Sequence, residues 1–230
     1  MIQKSSLYIV ATSIGHPEDI TLRALNILSQ VDGVICEEYR RGSTVLKRIG
    51  ISPGELLTLN EHNEREQVPE IIQQLHQGKS FALISDGGTP VFADPGYHLI
   101  EWAVKAGVTV IPVPGPSSLM AALSILDFKL DKFIFGGFLS RKSDTRIIEL
   151  QGLKNQKIPI ILMDTPYRLG KLLHEVKSVF GKNQIITLSC DLTLSTETIY
   201  RGMISDVQNR LGERKAEFIL IIHTPKNSSR

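Results

Sequence analysis

Short apolar runs alternate with helical stripes through the first 126 residues, and that alternation leaves few architectures open. "LYIVAT" (7–12), "GVICEE" (33–38), "SFALIS" (80–85) and "VTVIPV" (108–113) read as strands. Between them Leu22, Leu25 and Leu28 recur at near-helical spacing, with Asp19 as the expected N-cap. "STVLKRIG" reads as a short helix ended by Gly50. Val68, Ile71, Ile72 and Leu75 give the i, i+3, i+4, i+7 stripe of a helix stopping at Gly78. "YHLIEWAVKAG" and "PGPSSLMAALSIL" carry two more helices, the second with Pro116 suited to its first turn. Strands separated by helices pair through crossovers, which predicts a mostly parallel sheet covered on both faces.

After the polar bridge "DFKLDK" (127–132) the pattern changes. "FIFGGFL", helix "DTRIIELQGL", strand "PIILMDT" and a long amphipathic helix bearing Leu169, Leu172, Leu173, Val176 and Phe180 come first. Strands "QIITLSC" and "ETIYRGMI", helix "SDVQNRLGERK" and strand "EFILIIH" complete it, and their short connections predict antiparallel pairing. The expectation is two α/β domains, 1–126 with a mostly parallel sheet and 133–230 with a mixed one, joined by 127–132. The tail "PKNSSR" reads as a frayed end.

Charge excludes one simple function class. Lysines and arginines exceed acids by only two among 230 residues, so no strongly basic field marks a nucleic-acid binder. Any RNA contact must come from a local patch, for which "RKSDTR" (141–146) with Arg40, Arg41, Lys47 and Arg48 are the candidates. Cys36 and Cys190 sit in apolar runs without metal-ligand spacing, and read as reduced core residues of a cytoplasmic protein. The six histidines share no ligand spacing, so no metal is expected. No apolar run approaches the roughly 20 residues of a membrane helix, and "MIQKSS" leads at once into a strand, so neither membrane nor signal peptide is expected.

The chemistry concentrates where strands end. "TSIGHPED", "EEYRR", "SDGGTPVFADPG" and "PVPGPSS" all leave strands of the first half, at the sheet edge where open α/β sheets bind ligands. Their glycines let backbone approach a ligand and their prolines limit loop freedom, so a ligand read by shape and main-chain hydrogen bonds is indicated. There is no G-x-G-x-x-G after the first strand and no G-x-x-x-x-G-K-[ST]. Ser117 and Ser118 lack a G-x-S-x-G context and suit a helix cap that also reaches a ligand.

An ordered set of motifs resembles the ribosomal RNA small subunit methyltransferase I family, in the tetrapyrrole-methylase-like group. The set is "LYIVATSIGHPEDITLRAL", "EEYRR", "LNEHNE", "ALISDGGTPVFADPGY", "VIPVPGPSS", "GFLSRK", "YRL", "LT…TE" and "KAEFILII", from Leu7 to about Thr224. The resemblance implies two α/β domains with S-adenosylmethionine (SAM) in the cleft between them and a homodimer. It also implies methylation of a ribose 2′-hydroxyl of a cytidine in 16S ribosomal RNA, so ribosomal RNA or the small ribosomal subunit is the implied partner. By position it implies donor contacts at Ile14, Gly15, Asp86, Thr89, Pro90, Phe92, Ser117 and Ser118, with Met163, Asp164 and Ala216 from the second domain.

Glu38, at the family's acidic position, is expected as base or acceptor-orienting group, with a plain ion pair to Arg40 or Arg41 as the alternative. If strand alternation persists, Glu37 and Glu38 face opposite ways. Arg40 is a candidate catalytic or substrate contact, Tyr39 could stack on a base, and Arg41, Arg141 and Lys142 are candidate RNA contacts. Members of the family usually read T-P-I-G-N, E-D-T-R, S-D-A-G-T-P, R-E-L-T-K and K-G-E where this chain has "TSIGH", "EEYR", "SDGGTP", "CDLTL" and "KAE". On that reading Ser13 loosens the first loop, Cys190 removes a cation facing RNA phosphate, and Ala216 adds a methyl at a close approach. Two other functions stay open: a same-group enzyme with a small-molecule (tetrapyrrole-like) or other acceptor, and a SAM-binding protein without turnover.

Overall fold

The computed structural model describes residues 2–92 and 95–224, which form two compact units dividing between Ser118 and Leu119. The tail reading of 225–230, and Ala93 and Asp94 of the "ADPG" turn, lie outside the described residues.

The first unit holds five strands, β1 (Ser6–Val10), β2 (Gly33–Cys36), β3 (Leu56–Thr58), β4 (Phe81–Leu83) and β5 (Thr109–Val113). They pair in the order β3-β2-β4-β1-β5, every pairing parallel. Side-chain alternation sends successive residues to opposite faces, which gives the unit two cores. Leu7, Ile35, Phe81 and Leu83 pack with the stripes of α3 (Glu64–His76) and α4 (Tyr97–Lys105). Tyr8, Val10, Val34, Cys36, Ala82 and Ile84 pack with α1 (Leu22–Leu28) and α2 (Tyr39–Arg48). With both faces covered, the central strands are apolar apart from Ser6 rather than alternating, as buried parallel strands are.

Four local expectations change. α1 is capped not by Asp19 but by Thr21, whose Oγ1 accepts from Ala24 N at 3.1 Å; Asp19 ends a 3₁₀ turn, Pro17–Asp19. α2 starts at Tyr39 rather than Ser43; Tyr39, Arg40 and Arg41 are exposed and show no apolar stripe that would mark the start. β3 went unseen in the sequence, being three half-buried residues at a sheet edge. The helix after β5 begins at Ser118, which leaves Pro116 before it rather than in its first turn.

The second unit has β6 (Ile134–Phe138), β7 (Ile160–Asp164), β8 (Ile185–Cys190), β9 (Thr198–Met203) and β10 (Phe218–Ile222), ordered β6-β7-β10-β8-β9. Only β6 and β7 run parallel; the other pairings are antiparallel, so the sheet is mixed. One face packs α6 (Ser143–Asn155), α7 (Leu169–Phe180) and α8 (Ile204–Leu211) over Ile160, Leu162, Leu188 and Leu220. The other face packs α5 (Ser118–Ser124), whose Ala122, with Leu119 and Leu123, covers Ile161, Ile219 and Ile221. That packing puts the division between units ahead of the 127–132 bridge. Among the described residues, no helix is long and apolar enough to cross a membrane.

Candidate functional site

Three loops meet where β1, β4 and β5, adjacent in the sheet, end. Thr12 leaves β1 and exchanges both backbone hydrogen bonds with Gly88 beyond β4, at 2.9 and 3.1 Å. Thr89 Oγ1 donates to the Pro116 carbonyl beyond β5 at 3.2 Å. Gly115 lies so near β1 that a Cβ there would stand 3.1 Å from Ala11 Cβ. The sequence places its turn residues where these approaches require them. Gly88 has φ +83°, and its missing Cβ would lie 3.2 Å from Ile14 Cγ2. Gly96 has φ +121°, and a Cβ there would meet Leu83 Cδ2 at 2.8 Å. Val91, at φ +71°, is β-branched in a region such residues avoid, so its backbone is held under strain.

Polar side chains in this cluster are only partly satisfied. Thr12 is fully buried and its Oγ1 has no hydrogen-bond partner among the described residues. The same holds for Asp86 Oδ1. Asp86 Oδ2 instead accepts from Arg41 Nη1 at 2.6 Å, and Arg41 Nε stands 3.2 Å from Glu38 Oε2. The Asp86 hydrogen bond and charge raise the Arg41 pKa above its ordinary value. Burial, helped by the Asp86 charge, pushes the Cys36 thiol up to about 11.

The sequence candidates are therefore partly assembled. Ile14, Gly15, Asp86, Thr89, Pro90, Phe92, Ser117 and Ser118 belong to these loops or follow them directly; Pro90 is buried and Phe92 exposed. Ser13 Oγ donates to Pro17 O at 3.1 Å, a side-chain tie within the first loop. β2 ends at Cys36, so the alternation imagined for Glu37 and Glu38 does not continue: both are exposed, and Glu38 precedes the first turn of α2. Its carboxylate makes the anticipated ion pair, with Arg41. Arg40 and Tyr39 are exposed on that first turn, and no ion pair holds Arg40 among the described residues. Thr12 went unremarked in the sequence; its signal was a hydroxyl ending an otherwise apolar strand.

In the second unit Met163 and Asp164 end β7, and Ala216 lies two residues before Phe218, the partner of Asp164. One expectation there is overturned. Cys190 is wholly buried in the core, so its position faces no phosphate, and burial pushes its thiol up to about 11. The Ala216 methyl packs in the same core. Arg141 and Lys142 are exposed just before α6.

The chain matches the tetrapyrrole (corrin/porphyrin) methylases over residues 6–208. It is 36% identical to the ribosomal RNA small subunit methyltransferase I of Pasteurella multocida, over 94% of this chain and 78% of that one. To the protein of the same name from Thermotoga maritima it is 36% identical, over 91% and 93%. Among solved structures, a cobalt precorrin-4 methyltransferase of cobalamin biosynthesis superposes with a TM-score of 0.71 at 20% identity, over 95% of both chains. Uroporphyrin-III C-methyltransferase of Thermus thermophilus does so with 0.65, at 20% identity over 95% and 94%. The structures establish the fold, and the sequence likeness carries the narrower assignment: the chain belongs to the ribosomal RNA small subunit methyltransferase I family of the tetrapyrrole methylases.

Proposed function

We propose that this protein methylates a ribose 2′-hydroxyl of a cytidine in small-subunit ribosomal RNA, with SAM as donor. The observation that carries the reading is likeness along nearly the whole chain to relatives named for a small-subunit ribosomal RNA methyltransferase. The loop cluster of the first unit fits the donor. It holds two buried polar atoms without partners, Thr12 Oγ1 and Asp86 Oδ1, beside backbone opened by Gly88. A nucleoside with hydroxyl and amino groups would satisfy both atoms while reading the loops by shape. When bound, SAM supplies an electrophilic methyl on a sulfonium, whose departure leaves a neutral thioether.

The chain's own residues then bind, align and move a proton. Ile14, Gly15, Thr89, Pro90, Phe92, Ser117 and Ser118 hold the donor on the first unit, and Met163, Asp164 and Ala216 serve it from the second. Arg40 and Tyr39 take the acceptor nucleotide, with Arg141 and Lys142 on its phosphates. Glu38, oriented by Arg41, accepts the hydroxyl proton. Alignment can lower the barrier by about 7–11 kcal/mol, and a positioned base adds about 10²–10⁴ in rate. A cytoplasmic homodimer completes the reading.

Exposed Tyr39, at a position usually threonine in the family, favours a second reading in which the donor is kept and the acceptor has changed. A ribose-methylation map of small-subunit RNA from cells lacking the gene decides between them: one lost methyl is expected, and an unchanged map defeats the RNA assignment. Calorimetry with SAM tests the donor separately, where no heat at millimolar ligand would leave a fold without its cofactor.

A further inference from the structure

The segment that follows β6 is fixed far more firmly than an ordinary surface turn. Arg146 Nη1 donates to the carbonyls of Ser140 at 2.6 Å and Arg141 at 3.0 Å. Arg168 Nη2 reaches the Ser140 carbonyl at 3.0 Å, and Ser140 N donates to Glu149 Oε2 at 2.9 Å. Arg146 is itself buried against Glu175, Nη2 to Oε1 at 2.7 Å, and Ser143 Oγ donates to the same carboxylate. A buried ion pair adds little net stability relative to an apolar one, because desolvation offsets the attraction. What this pair does is hold a backbone: residues 140 and 141 are gripped by guanidinium groups from two elements.

The held segment carries an unusual surface. Phe138, the last residue of β6, is 51% exposed, and Tyr167, in the turn after β7, is 80% exposed. β6 and β7 are parallel neighbours with Phe138 opposite Met163, and Arg168, next to Tyr167, bonds to Ser140. Both residues therefore stand at the carboxyl end of the β6–β7 pair. Arg141 and Lys142, both exposed, follow β6 within four residues of Phe138, and Lys215 Nζ lies 5.1 Å from the centre of the Tyr167 ring. Asp144 is the acidic neighbour on the first turn of α6.

We propose that this edge of the second unit is a platform for unpaired RNA, with Phe138 and Tyr167 as stacking faces and Arg141, Lys142 and Lys215 as phosphate contacts. The inference rests on the RNA reading above and adds what kind of RNA is taken. Stacking rings beside cations fit a single strand, whose base faces are open and whose backbone is anionic. A duplex keeps those faces hidden. The immobilised backbone presents the cations without an ordering cost on binding. Arg146 and Arg168 are positioning residues that act through the 140–141 backbone.

The test is titration of the full-length protein with a labelled unstructured oligoribonucleotide and with the same strand annealed into a duplex. The single strand is expected to bind more tightly. Phe138→Ala and Tyr167→Ala, both at exposed positions, should each weaken it roughly 5- to 100-fold, while Tyr167→Phe keeps parental affinity. Reversing Arg141 and Lys142 together to Glu should lower the salt slope by about 0.7 for each phosphate that is no longer neutralised. Arg168→Lys should raise KM for RNA; Arg168 Nη2 also stands 3.1 Å from Asp164 Oδ2, so SAM affinity is measured alongside. Parental affinity and salt slope in the alanine and reversal variants overturn the platform, yet leave the methyltransferase reading intact if methyl transfer to RNA persists. A change of oligomeric state in place of RNA affinity makes the edge a subunit contact and equally overturns it. A parent that neither binds nor methylates RNA sinks both.

Discussion

Arg41 donates to Asp86 at 2.6 Å, tying the first turn of α2 to the loop beyond β4 across 45 positions of sequence. The same guanidinium faces Glu38, so one cation sets two carboxylates that the sequence assigns to different tasks. Holding Asp86 by Oδ2 leaves Oδ1 buried and directed elsewhere, which separates an anchoring oxygen from a recognising one.

Removing either end of that pair should change function more than stability. Both side chains are partly exposed, so the ion pair contributes about 0.2–1 kcal/mol to folding. Arg41→Gln and Asp86→Asn, alone and combined, are expected to melt close to the parent. Methyl transfer should fall in each single variant, with little further loss in the double because they act as a unit. Fully additive losses would separate the two residues.

Thr12 offers a cleaner separation of stability from binding. A buried hydroxyl without a partner costs about 1–3 kcal/mol, so Thr12→Val, of nearly the same shape, should raise the melting temperature. If the hydroxyl meets the donor, SAM affinity drops in the same variant. Thermal melts and calorimetry read the two effects independently, and lower stability with unchanged affinity would contradict both.

Gly88→Ala should shift stability the other way. At φ +83° a side chain costs about 1–2 kcal/mol, and the new methyl would press on Ile14 from 3.2 Å. Both melting temperature and donor affinity are expected to fall, in the same two measurements.

The Arg146–Glu175 pair makes a pH prediction. Burial alone would raise the Glu175 pKa, but hydrogen bonds from Arg146 and Ser143 outweigh it and hold it below its ordinary 4.5. A depressed carboxylate contributes stability that is present above about 4.5 and is lost as pH falls through the lower folded value. Glu175→Gln, leaving Arg146 buried without its counter-charge, should cost about 3–5 kcal/mol near neutrality. Its stability should fall less steeply than the parent's as pH drops below about 4.5, as followed by denaturant titration. Parallel acid profiles would remove Glu175 as the source.

Cys36 and Cys190 should both resist a thiol reagent near pH 8, being buried with pKa values of about 11. Two thiols per chain should appear only on unfolding; rapid labelling of the native protein would place one at the surface.

Much of this was readable in one dimension. The strand–helix alternation sets a parallel sheet because crossovers leave no other pairing, and the stripe from Val68 to Leu75 marks α3 because a buried face repeats every three or four residues. The turn chemistry at 86–96 located the loops, since few residues besides glycine tolerate the backbone at Gly88 and Gly96. Short or polar elements escaped: β3 buries no full side chain, and the start of α2 shows no apolar period. Pairings between distant residues escaped altogether. Nothing local tells that Arg41 reaches Asp86, that Thr12 meets Gly88, that Cys190 is sealed in a core, or that Arg146 lies buried on Glu175. Local sequence dictates backbone preference and periodicity; only tertiary packing decides which polar groups find partners and which are left facing a ligand.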